Sequence, residues 1–202
     1  MDKPLPGPDL ADAAWVKIDT RLEARTLFNL CQNIECLFRL NPYLSVEYWT
    51  MPTRNRIHAK WINSSNHTEL TLQQDIQVTR LQDEIRLCYS SGLKKETRLV
   101  VEPQAYGSTL TVIDTYDIET VNGDDECITS QVDKSLPAWG VSLKAFFHHY
   151  AYLRKIPGIE LAIDRFWIRL SPMARRIVYI LLIITAFELL LLFVFVLVMV
   201  LH

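Results

Sequence analysis

The stretch VKIDTRLEARTLFNLCQNIECLFRLNPYLSVEYW, Val16–Trp49, decides the fold because its hydrophobic period changes twice. Val16, Ile18, Thr20 and Leu22 fall on one side and Lys17, Asp19 and Arg21 on the other, the period of two of a half-buried strand. Leu27, Phe28, Leu30, Cys31 and Ile34 then follow at helical spacing, and a second short helix is predicted over Cys36–Leu40. Asn41-Pro42 ends it, since proline disfavours helix in the residue before it. Alternation resumes in a strand over Leu44–Met51, closed by Pro52.

Upstream, residues 1–13 hold three prolines and one glycine and read as a mobile lead-in with no apolar secretory signal. Downstream, alternating segments are separated by turn residues. Strands are predicted over Arg56–Ile62, Thr68–Thr79, Glu84–Ser90, Thr97–Gln104 and Ser108–Glu119, and short connections favour antiparallel neighbours. Residues 120–134 are polar and read as a loop. Ser135 can then N-cap a long helix with Pro137 in its first turn and an apolar face of Leu136, Trp139, Leu143, Phe146, Phe147, Tyr150 and Leu153. Pro157-Gly158 breaks that helix.

One strand, two short helices, six antiparallel strands and a long C-terminal helix is the order of START-like, or helix-grip, domains, including the polyketide cyclase/dehydrase-like (SRPBCC) relatives. Val16–Trp49 resembles their opening, where a strand runs into a helix and then an Asn-Pro-type turn. The resemblance covers about Trp15 to Lys155 and lies in topology rather than in a catalytic motif. It implies an α+β fold, a curved seven-stranded antiparallel sheet gripping the long helix, with an apolar cavity between them for lipids, quinones, sterols or polyketides. Side chains expected to line that cavity are Tyr48, Trp61, Leu72, Leu87, Tyr89, Leu99, Val112, Tyr116, Phe147 and Tyr150. Each of them also fits an ordinary core position, and a one-residue slip in a strand exchanges inward for outward.

The other chemistry-bearing residues have bland readings. His148 and His149 are adjacent on a helix and cannot chelate one metal as an i, i+4 pair does; one half-buried and one solvated is expected. Asp114, Asp117 and Glu119 lie on one strand, with Asp117 and Glu119 on a wet face. Cys31, Cys36, Cys88 and Cys127 follow no zinc spacing, and Cys31 and Cys36 read as small apolar core residues. No GxSxG, P-loop or dinucleotide fingerprint occurs, so no catalytic residue is assigned, no metal is expected and no cofactor is required. A bound lipid or isoprenoid quinone is the ligand that the resemblance implies. With 21 basic and 23 acidic residues, the chain lacks the basic excess of a general nucleic-acid binder.

The last segment, Ile177–Leu201, contains Glu188 as its only ionisable group apart from Tyr179. As a helix it measures roughly 37 Å against a hydrocarbon core of about 30 Å, enough to span with some tilt. Arg165, Arg169, Arg175 and Arg176 precede it and only His202 follows, which predicts a single-pass tail anchor with the N-terminal domain on the cytoplasmic face. Between the two, Ile159–Leu170 is amphipathic, placing Phe166 and Trp167 where they can enter the headgroup layer with Arg165 and Arg169 on phosphates; packing on its own domain is the other reading. Glu188 either faces another transmembrane helix or is a tolerated, protonated outlier. The expected divisions are a lead-in over 1–13, the START-like domain over 14–156, a juxtamembrane helix over 157–172 and the membrane helix over 173–202. Three functions fit: a membrane-anchored carrier or chaperone of an apolar ligand, an accessory subunit of an integral membrane complex, and a cyclase- or dehydratase-type enzyme on a membrane-bound substrate.

Overall fold

A computed structural model describes residues 13–66, 69–117, 134–153, 170 and 172–201. Seven strands form one sheet in the order β1-β7-β6-β5-β4-β3-β2, every neighbouring pair antiparallel. They are β1 (Ala13–Thr20), β2 (Leu44–Thr53), β3 (Arg56–Asn63), β4 (Leu70–Arg80), β5 (Glu84–Tyr89), β6 (Lys94–Gln104) and β7 (Gly107–Tyr116). The helical pair α1 (Ala24–Cys31) and α2 (Ile34–Arg39) separates β1 from β2, the long helix α3 (Leu136–Leu153) follows the sheet, and α4 (Pro172–Leu201) ends the described chain.

The break between α1 and α2 falls two residues earlier than Cys36, because Asn33 caps α2: its side chain accepts from the Cys36 amide at 3.2 Å. Ile34 therefore opens the second helix rather than closing the first. Strand β6 starts three residues before Thr97, its register shifting between Lys94 and Glu96, a bulge that a run of charged residues hides from a periodicity reading. The stretch from 118 to 133, which holds the end of the predicted last strand, and all of the predicted helix Ile159–Leu170 except Leu170 lie outside the described residues.

The buried face collects Ile18, Ile57, Ile76, Ile85, Leu87, Leu99, Leu110 and Val112 from the strands, and α3 adds Leu136, Trp139, Leu143 and Phe147. Gly140 lets α3 approach β1 closely, since a Cβ there would lie 2.6 Å from Val16 Cγ2. Phe38 of α2 packs against three tryptophans, with ring centroids 5.3 Å from Trp49, 5.7 Å from Trp61 and 5.7 Å from Trp139. Two hydrogen bonds pin α3 to the helical pair: Trp139 Nε1 donates to Leu37 O at 2.7 Å, and Asn41 Nδ2 donates to the hydroxyl of Ser135 at 2.7 Å. Cys31 and Cys36 are buried, and burial pushes the Cys31 thiol far above its ordinary range, so it stays protonated in the core.

On the other face, Glu84 accepts from Arg86 Nε and Arg98 Nε, both at 2.6 Å. Burial works against its ionised form, yet the hydrogen bonds and charges of Arg98 and Arg86 hold the carboxyl below the usual carboxylate range. A depressed pKa contributes stability that is present above the unfolded value and is lost as pH falls through the folded one. Glu84→Gln is therefore expected to be less stable than wild type by about 1–2 kcal/mol at neutral pH, with the gap closing at acid pH. Urea denaturation of both proteins across that range checks it.

Candidate functional site

A half-open cavity of about 200 Å³ lies on the buried face of the sheet, lined from β2 to β7. Its apolar wall comes from α2, β2, β3 and β4: Phe38, Leu44, Trp61, Leu70 and Leu72. The opposite wall, from β4 to β7, is more polar and contains Gln74, Tyr89, Ser91, Lys94 and Tyr116. Gln74 holds the β5–β6 connection in place, its Nε2 donating to Ser91 O at 2.7 Å and its Oε1 accepting from the Ser91 amide at 3.3 Å. Gly92 turns that connection with φ of +88°.

Behind the polar wall lies a buried network. Asp114 is fully buried (0 % exposed) and pairs with Lys94, Nζ to Oδ2 at 2.7 Å. Thr97, opposite Asp114 in the β6–β7 ladder, donates to Asp114 Oδ1 at 2.6 Å and lies 2.9 Å from the Tyr89 hydroxyl. Thr97 has one proton and gives it to the carboxylate, so Tyr89 is the donor in its bond to Thr97. Lys94 Nζ also sits 5.6 Å from the centroid of the Tyr89 ring. The wet-side reading of this strand's carboxylates does not extend to Asp114. The available signal was phase: Asp114 continues the i, i+2 series of Leu110 and Val112, the inward face of β7.

Of the ten side chains expected to line a cavity, Trp61, Leu72, Tyr89 and Tyr116 stand in its wall. Leu87, Leu99, Val112 and Phe147 are buried in the core outside it, and Tyr150 packs half-buried against that core. Tyr48 is a correction, being 55 % exposed. Val46 pairs with Trp61 and Tyr48 with Lys60, so Glu47 is an extra residue that turns Tyr48 outward and Trp49 inward. Phe38 and the Ser91–Leu93 rim were not anticipated, since a helix and a loop have no strand period to reveal them; Leu44, Asn63, Leu70, Gln74 and Lys94 lie on strands and were missed all the same. His148 and His149 are both exposed, correcting the expectation of one half-buried; His148 packs on Tyr152 and His149 Nδ1 lies 2.6 Å from Ala145 O. Among the described residues no cluster of His, Cys, Asp or Glu could hold a metal ion.

Among the described residues one helix, Ile177–Val200, is long and apolar enough to cross a membrane, and its side chains are not buried against the domain. Arg175 and Arg176 fall in the first turns of α4. Arg165, Phe166, Trp167 and Arg169 lie outside the described residues. Glu188 is exposed and is the twelfth of the 24 residues of the span, its midpoint.

The architecture aligns with a START superfamily protein from Mycobacterium smegmatis at 11 % identity and a TM-score of 0.53, covering 68 % of this chain and 97 % of that one. The fold is the START-like helix-grip fold. A second solved structure that aligns is the di-domain ARO/CYC protein StfQ from the steffimycin biosynthetic pathway, at 10 % identity and a TM-score of 0.51, covering 71 % of this chain and 52 % of StfQ. No protein-family profile and no curated sequence matches the chain. What it shares with these two proteins is therefore backbone architecture, and its cavity chemistry has to be read from its own residues.

Proposed function

We propose that this protein is a membrane-anchored START-like domain that binds an apolar ligand, a lipid, quinone or other isoprenoid, at the cytosolic membrane face, as its carrier or chaperone. The observation that carries this reading is the cavity with its wall of Phe38, Leu44, Trp61, Leu70 and Leu72. Magnitude narrows it. A dry cavity of about 150 Å³ holds benzene, so one of about 200 Å³ holds a single ring or a short chain segment. A whole diacyl lipid or polyprenyl chain does not fit. The domain grips one end of its ligand while the remainder leaves through the open side. A domain tethered to the bilayer by Ile177–Val200 can do this without carrying an apolar tail through water.

The test is organic extraction of the purified full-length protein, with identification of what it released. One apolar species at near-stoichiometric amount supports the carrier reading; a mixture matching bulk membrane lipid counts against it.

Glu188 favours a second reading. A carboxyl at mid-span is expensive unless it is protonated or partnered, and the span holds no basic residue. As an accessory subunit, the chain would dock this face on another integral protein. Copurification of other membrane proteins in fixed ratio, lost in Glu188→Leu, is the result expected on that reading.

A further inference from the structure

We infer that α4 pairs inside the bilayer with α4 of a second copy of this chain, the two Glu188 carboxyls meeting as a protonated, doubly hydrogen-bonded pair. This rests on the membrane-anchored reading above, and it puts a second copy, rather than a different integral protein, against Glu188.

The span itself limits what can meet this carboxyl. Glu188 is the twelfth of 24 residues, so it lies roughly 17 Å along the helix from either end, further than its side chain reaches toward water. It must be neutral or matched by a cation, and Ile177–Val200 contains no Lys, Arg or His. The domain does not cover it, since the span is not buried against the rest of the chain. A neutral carboxyl both donates and accepts. The backbone amides and carbonyls of a helix interior are already used by the helical ladder. Tyr179 and Thr185 carry the other side-chain hydroxyls of the span. Tyr179 is about two and a half turns away. Thr185 sits one turn before Glu188, and one hydroxyl answers only one side of the carboxyl.

A second copy answers both sides. Copies of one single-pass chain insert in the same orientation, so symmetry brings their Glu188 groups to the same depth, and each acid donates its proton to the other's carbonyl oxygen. A different protein would need a suitable group at that depth. Spacings of three and four place Ile177, Leu181, Ile184, Leu191, Phe195 and Val198 on the Glu188 side of the helix. These side chains are bulky and the span contains no glycine, so close backbone approach of the GxxxG kind is not available to it. Apolar side chains have no hydrophobic drive to associate in lipid, which leaves the Glu188 pair to select the face.

The test uses full-length chains labelled at the N-terminus with a donor or an acceptor fluorophore and reconstituted in phosphatidylcholine vesicles over a range of protein-to-lipid ratios. Extraction with alkaline carbonate comes first, and release of the chain from the vesicles overturns both the anchored reading and this inference. In retained wild type, donor quenching is expected to rise in direct proportion to the acceptor fraction, as for a dimer. Glu188→Leu should pair at least about fivefold more weakly, having lost two interhelical hydrogen bonds. Glu188→Gln should stay within about threefold of wild type, because two amides exchange the same two bonds. Energy transfer in wild type no greater than random proximity gives, or pairing that Glu188→Leu leaves unchanged, overturns the inference while the anchor stands. So does wild type purified from its membrane in fixed ratio with a different integral protein and without a second copy, which returns Glu188 to the accessory-subunit reading.

Discussion

Gly107→Ala will destabilise the domain by more than about 4 kcal/mol, most of the stability of a typical domain. Two independent faults are introduced at one position. Gly107 opens β7 with φ of +116°, a conformation that costs any L side chain. A Cβ there would also lie 2.0 Å from the carbonyl oxygen of Thr20 and 3.0 Å from Arg21 Cα. Those atoms lie at and just after the end of β1, which is held to β7 in register from Ala13↔Thr115 to Thr20↔Ser108, so neither side can retreat without breaking the ladder. Gly92→Ala is the matched comparison. It shares the positive φ, at +88°, but its Cβ would meet only Gln74 Nε2 at 3.4 Å, an ordinary contact. Its cost should be about 1–3 kcal/mol, the backbone strain alone. Denaturant melts of the two variants separate collision from strain.

Leu72→Trp will abolish ligand binding, with an affinity loss of at least about a hundredfold, or about 2.7 kcal/mol. Leu72 faces Trp61 across the β3–β4 ladder, and both stand in the cavity wall. An indole at position 72 occupies the space a ring-sized ligand needs. Overpacking a filled core costs stability, but here the added volume enters a void of about 200 Å³. The variant is therefore expected to keep its circular dichroism and melt within a few degrees of wild type. Loss of binding with the fold intact locates the ligand in this cavity; unchanged binding places it elsewhere.

Most of the architecture is legible in the sequence because it is written in periods. The switch from two to helical spacing and back within Val16–Trp49 gives the strand, helical pair and strand, and the apolar face around Leu143 and Phe147 gives the long helix. What escaped follows from features without a period. The bulge at Glu47 reverses the faces of Tyr48 and Trp49, and no residue type announces it. Ile34 satisfies the apolar pattern of either short helix, and only the Asn33 cap shows which one it joins. In the candidate site, Trp61 and Leu72 are found by alternation because both lie on regular strands. Asp114 shares the inward phase of Leu110 and Val112, but a charged residue reads as solvated until its partner 20 positions away, Lys94, is known to lie 2.7 Å from it. Burial of a carboxylate is a property of the pair, and strand pairing is what brings the pair together.

On the proposed function this cavity holds one end of an apolar ligand. That reading is tested most directly by native mass spectrometry of the full-length wild type and Leu72→Trp, released side by side from the same steroid-based detergent. A single adduct is expected, bound one to one in wild type and absent from the variant. No adduct in either protein, or the same adduct on both, would contradict it.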